Sequence, residues 1–154
     1  MALEIGLTDT QREEAAGALR ALLADTYALY LKTHGYHWNV TGPRFSELHG
    51  LFMEQYTELW QALDKIAERI RALGHFAPGS SEDMHASATI TADNGVPDAE
   101  TMIRNLVGGH ETLARIAKRG IKSAEALGDD VSSDLFVQRA AIAEKTAWML
   151  RSSL

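Results

Sequence analysis

Apolar residues recur at three- and four-residue steps along four long stretches of the chain, and no stretch of any length alternates in the two-residue rhythm of a strand. Helices are predicted over residues 9–36, 43–73, 98–127 and 130–151. In the first, Leu19, Leu22, Thr26, Tyr30, Thr33 and His37 fall on one stripe, and Thr8 with Gln11 has the spacing of a capping box. The second has a helix-initiating Pro43, apolar contacts from Leu48, Phe52, Leu59, Leu63, Ile66 and Ile70, and Gly74 as its stop. The third carries Ala99, Met102, Leu106, Gly109, Leu113, Ile116, Gly120, Ala124 and Leu127 on one line. Its small positions predict close approach of a neighbour, because glycine inside a helix otherwise costs about 1 kcal/mol. The fourth has two marked faces, Leu135, Ile142 and Met149 on one and Val137, Ala141, Glu144 and Trp148 on the other. Two occupied faces fit a helix packed both in a bundle and against a partner.

Two connections are short. The third, from Gly74 to Pro97, is long, as a bundle requires when two consecutive helices run parallel. Within it, Ser80-Ser-Glu-Asp83 reads as the cap of a short extra helix. The predicted architecture is therefore all-α, a four-helix bundle in one domain over residues 1–154.

Composition narrows the chemistry. The formal net charge of −6 disfavours a phosphate backbone as partner. The chain has no cysteine, which excludes disulfides and thiolate metal sites. No apolar run is long enough to span a bilayer, and the first residues do not resemble a signal peptide, so a cytoplasmic protein is expected.

Candidate chemistry concentrates between residues 34 and 68. His37 and His49 are imidazoles, and Asp64 and Glu68 are carboxylates four residues apart on one helix face. Nitrogen and oxygen donors of this kind suit redox iron. His49 and Asp64 lie on the same predicted helix, fifteen residues apart, or roughly 22 Å at the helical rise. They cannot hold one metal ion within a chain. Either the residues are unrelated, or the metal lies between two chains.

Lys32-Thr-His34-Gly-Tyr-His37-Trp38-Asn-Val-Thr-Gly-Pro43, Leu48-His49, Gln55-Tyr-Thr-Glu-Leu-Trp60, Asp64, Ala67-Glu68-Arg69-Ile, Gly128-Asp-Asp-Val-Ser-Ser-Asp134 and Glu144-Lys-Thr-Ala-Trp148 together resemble the Dps family, the miniferritins of the ferritin-like fold. The resemblance covers nearly the whole chain. It implies a bundle with a short crossover helix, assembly into a hollow dodecamer, and a ferroxidase centre at a two-fold interface. In that centre His37 and His49 of one subunit would meet Asp64 and Glu68 of its neighbour. Fe(II) would be oxidised, with hydrogen peroxide preferred, and Fe(III) mineral stored in the cavity to limit oxidative stress. Trp38 and Trp148 would lie near the site as shields or radical quenchers, or serve only in packing. Glu125, Asp130 and Asp134 match the lining of three-fold pores; plain helix-end electrostatics is the other reading.

One position departs from the pattern. The family usually places a carboxylate four residues after the second histidine, and here that position is Met53, a soft thioether. Glu54 follows it but points about 100° away on a helix. The departure allows a cage with an impaired or single-iron site. A DNA-compacting structural role is the remaining alternative. The chain has no lysine before Lys32 and only Arg151 near its end, so DNA binding is expected to be weak or absent.

Overall fold

In the computed structural model, which describes residues 1–154, five helices account for the architecture and there is no strand. They are α1 (Asp9–Asn39), α2 (Phe45–Ala72), α3 (Ser81–Ser87), α4 (Ala99–Leu127) and α5 (Asp130–Arg151). The four long helices form the bundle and α3 is the short helix of the crossover. α1 pairs with α2 and α4 with α5 as two hairpins. Contacts Leu29 to Gly109 and Tyr36 to Asn105 step in opposite directions along α1 and α4, so these helices are antiparallel and α2 runs parallel to α4. The long crossover follows from that.

Local chemistry sets the helix ends. The Thr8–Gln11 capping box forms both bonds, 3.3 Å to the Thr8 hydroxyl and 2.8 Å to the Gln11 amide oxygen. Ser80, Asp98 and Asp129 each accept the backbone N–H three residues on, capping α3, α4 and α5. Gly128 closes α4 in the left-handed conformation at φ 70°. α2 starts later than Pro43: Pro43 and Arg44 form a turn in which the Phe45 N–H donates to the Gly42 carbonyl at 3.0 Å, and the first helical residue is Phe45.

The core comprises apolar residues from all four long helices. The expected α4 stripe is buried from Met102 to Ala124, with Ala99 and Leu127 at its ends only half-buried, and its glycines mark close approaches. A Cβ on Gly109 would stand 2.4 Å from Leu29 Cδ1, and one on Gly120 would stand 2.4 Å from the Phe136 ring. On α5 the expectation needs correction. The buried face is Phe136, Ala140, Ala143, Ala147 and Leu150, with Leu135 and Ile142 only half-buried and Met149 exposed. The two faces marked in the sequence flank this one. Three of its members are alanines, whose weak apolar signal hid the stripe.

Two buried polar devices hold the bundle to its connections. Asp25, 1% exposed, accepts the Thr89 and Ile90 backbone N–H groups at 2.7 Å and the Thr89 hydroxyl at 2.8 Å, clasping the crossover to α1. Arg69 reaches from α2 to Asp129 at 2.8 Å and Ser132 at 2.9 Å, tying α2 to the start of α5. No helix is long and apolar enough to cross a membrane.

Candidate metal centre

His37 is near the end of α1 and His49 is in the second turn of α2, where the short turn between the helices brings them face to face. Their rings stack at 3.8 Å between centroids and 18° between planes. His37 Nδ1 lies 2.7 Å from the His49 carbonyl oxygen, and His49 Nδ1 lies 2.7 Å from the His37 carbonyl oxygen. A carbonyl can only accept, so each Nδ1 carries the proton and donates it. In the neutral rings both Nε2 atoms then keep their lone pairs, the state a metal ligand requires. Phe45 packs 5.0 Å from His49.

Asp64 and Glu68 are exposed on α2, a long way along the same helix. The fifteen-residue rise from His49 to Asp64 is about 22 Å of continuous helix. Within one chain no group of three or more histidines and carboxylates comes together. The four expected ligands thus form two half-sets: imidazoles at one end of α2 and carboxylates at the other. An open groove of about 560 Å³, lined by Leu23, Trp60, Leu63, Asp64, Ala67 and Met84, runs beside the carboxylate half. A separate apolar cavity of about 500 Å³ lies between α1 and the crossover, and none of the four lines it.

The surface between the half-sets is aromatic and apolar. His49, Met53, Tyr56, Trp60 and Asp64 follow one another at three- and four-residue steps along α2. Met53 is 47% exposed and Trp60 61%. On α1, Tyr30 and His34 meet Tyr56. The His34 ring stacks on Tyr56 at 3.8 Å, and its Nδ1 is 2.9 Å from the Tyr30 hydroxyl. Burial, and then the neighbouring His37, lowers the His34 pKa, favouring the neutral ring. Burial raises the Tyr30 phenol, with smaller contributions from Tyr56 and Tyr27.

The other expected residues are spread more widely. Trp38 is exposed and contacts His34 at 4.2 Å between rings, not the imidazole pair. Trp148 is exposed on α5 and makes no aromatic contact with Trp38, His37 or His49 inside the chain. Glu54 is exposed, one position beyond Met53 and turned from the His49 line. Glu125, Asp130 and Asp134 are all exposed around the turn between α4 and α5. Asp129, passed over in the sequence, is the actual helix cap there; its spacing to Ser132 was the available signal. Tyr30 and His34, four residues apart on one helix, likewise carried a readable pairing signal.

The ferritin-like domain family matches residues 16–154. An uncharacterised low temperature-induced protein of Nostoc is 41% identical over 152 residues, covering 97% of this chain and 85% of its own length. DNA protection during starvation protein 2 of Bacillus anthracis is 35% identical over 136 residues, covering 88% of this chain and 93% of that protein. Among solved structures, the Dps protein of Vibrio cholerae O1, described as a member of a broad superfamily of ferritin-like diiron-carboxylate proteins, superposes with a TM-score of 0.93 at 35% identity, covering 99% of this chain and 96% of that one. The fold is therefore ferritin-like. Within that fold, the chain belongs to the Dps family.

Proposed function

We propose that the protein oxidises Fe(II) with hydrogen peroxide at a site shared by two subunits, and stores the Fe(III) product inside a cage built from twelve copies. The observation that carries this reading is the split of one iron-ligand set, with the His37–His49 pair at one end of α2 and the exposed Asp64 and Glu68 towards the other. An isologous two-fold contact pairs a patch with itself in reverse. If two α2 helices meet antiparallel about the point between Tyr56 and Thr57, His49 of one falls level with Asp64 of the other. The same axis sets Met53 against Trp60, the two large exposed apolar side chains of this face. It also carries Phe45 and Met53 towards the open groove beside Asp64. An apolar strip of this extent is the kind of surface that associates.

The chemistry follows from the donors. Two neutral imidazoles, held by their reciprocal hydrogen bonds, present Nε2 atoms to Fe(II). Two carboxylates add hard oxygen ligands and two negative charges, balancing one Fe(II). Met53 adds neither charge nor a hard donor, so the complete set suits one tightly held ion per site, with Glu54 directed elsewhere. Two Fe(II) reduce one hydrogen peroxide, with two protons, to two waters. This consumes both ingredients of hydroxyl-radical formation. The Fe(III) then hydrolyses and deposits as mineral.

The exposed acids Glu125, Asp130 and Asp134 would form a cation-attracting funnel wherever three copies meet. Twelve chains at −6 carry roughly −70 in all, which favours cation entry and opposes DNA. Protection by this protein is then chemical, in the cytoplasm, and not a matter of coating DNA. The test is anaerobic Fe(II) titration of the purified oligomer followed by stopped-flow mixing with peroxide. Saturable binding at the interface sites with fast peroxide-driven oxidation is expected. Absence of saturable binding would reject the ferroxidase reading.

A further inference from the structure

We propose that Tyr30, hydrogen-bonded to His34, is a proton-coupled one-electron donor that supplies the second electron when a single bound Fe(II) meets peroxide. This rests on the ferroxidase reading above and adds a redox residue to it.

Peroxide reduction takes two electrons, and a site with Met53 in place of a carboxylate has hard donors for one iron. The first Fe(II) supplies one electron. The second must come from another iron arriving later or from the protein. An unbroken run of rings leads from the imidazole pair to a suitable donor. His49 stacks on His37 at 3.8 Å, and His37 meets the edge of Tyr56 at 5.2 Å. Tyr56 stacks on His34 at 3.8 Å, and Tyr30 lies 5.6 Å from His34 and 6.3 Å from Tyr56. Electron transfer weakens steeply with distance, and no step in this run exceeds ring-packing range.

Tyr30 is singled out by its proton. Removing an electron from a neutral phenol in a half-buried site is feasible only if the phenolic proton leaves with it, because a buried phenol cation has no compensation. The Tyr30 hydroxyl is 2.9 Å from His34 Nδ1, a basic nitrogen that can take that proton over one hydrogen bond. The other tyrosines lack one half of this arrangement. Tyr56 lies in the run, but its hydroxyl has no hydrogen-bonded base. Tyr27 bonds a serine hydroxyl. Tyr36 bonds Asp93 and Asn105, but its ring packs on Phe52, which leads nowhere redox-active. Trp38 and Trp60 flank the run at 4.2 Å from His34 and 5.8 Å from Tyr30, without a base of their own in the hydrogen-bond network.

Hydrogen peroxide takes one electron from Fe(II), one electron from Tyr30 and two protons from solvent, and yields two waters and Fe(III). The Tyr30 proton moves to His34 Nδ1, leaving a neutral phenoxyl radical beside an imidazolium. The next Fe(II) to bind returns an electron to Tyr30, the proton comes back from His34, and that iron becomes Fe(III). Two Fe(II) are still consumed per peroxide, but they need not be bound together.

The experiment is freeze-quench electron paramagnetic resonance on the assembled protein, given one Fe(II) per site and then peroxide. A tyrosyl radical is expected to form together with Fe(III), and to fall to background in Tyr30→Phe while surviving in Tyr36→Phe and Trp38→Phe. His34→Gln should slow radical formation, and Met53→Asp, which restores a second hard donor, should lower the radical yield. Iron oxidation without any protein radical, or an undiminished tyrosyl signal in Tyr30→Phe, would overturn the proposal. A second arm separates it from the ferroxidase reading. In metal-free protein a photogenerated one-electron oxidant should still produce the Tyr30 radical near neutral pH. A radical unchanged in Tyr30→Phe there would refute the Tyr30–His34 couple whatever the iron chemistry.

Discussion

A shared site can be rebuilt from two broken proteins, and the yield can be computed in advance. Variant one carries His37→Gln and His49→Gln; glutamine amides can still donate to the two carbonyls that the rings now serve. Variant two carries Asp64→Asn and Glu68→Gln, isosteric changes at exposed positions. Each alone has no complete ligand set at any interface. Mixed at equal amounts and assembled at random, about half of the two-fold contacts join unlike subunits. In each such contact one site combines both lesions, and the other combines intact imidazoles with intact carboxylates. About one quarter of all sites are therefore whole. Fe(II) binding and peroxide-driven oxidation should each recover to about a quarter of the unaltered level, with the oligomer intact by size exclusion. A site inside one chain could never be rescued this way, so zero recovery in properly mixed assemblies would refute the reasoning. The same holds if variant two alone binds iron at full strength.

Met53→Asp should move iron stoichiometry from about one towards two per site and speed oxidation, read by titration and stopped flow; unchanged values would mean another group already supplies that donor. Gly120→Ala should lower the melting temperature. Its Cβ would sit about 1 Å inside normal contact with the buried Phe136 ring, a strain of about 1–3 kcal/mol that outweighs about 1 kcal/mol of helix propensity. Gly108→Ala, with nothing within 4 Å, should instead raise it. His110 is 2% exposed with both ring nitrogens unpartnered, and burial, then Arg139, pushes its pKa down to about 3. The unfolded chain therefore binds this proton more readily, and stability should fall as pH drops from about 6.5 towards 3. His110→Leu should flatten that part of the acid-denaturation curve.

Much of the fold was legible because long helices repeat their signal many times. Caps at Thr8 and Ser80 and the glycines of α4 pointed the same way as the apolar stripes. The α5 core face was not legible, because Ala140, Ala143 and Ala147 bury well while scoring weakly, and the larger residues beside them misled. Candidate site residues stood out by type and spacing, and the helical rise already divided His49 from Asp64. What spacing could not reveal was the mutual lock of His37 and His49, which depends on how the α1–α2 turn brings two carbonyls opposite two rings. The clasp of Asp25 on Thr89 and Ile90 spans more than sixty residues and leaves no local trace.

The central claim concerns where iron sits, and anomalous diffraction at the iron edge from crystals of the assembled protein soaked in Fe(II) under anaerobic conditions addresses it directly. The account predicts density at the two-fold contact, within bonding distance of His37 and His49 Nε2 from one subunit and of Asp64 and Glu68 oxygens from its partner. Iron confined to the bundle interior of a single chain, with the His37–His49 pair and the two carboxylates vacant, would contradict it.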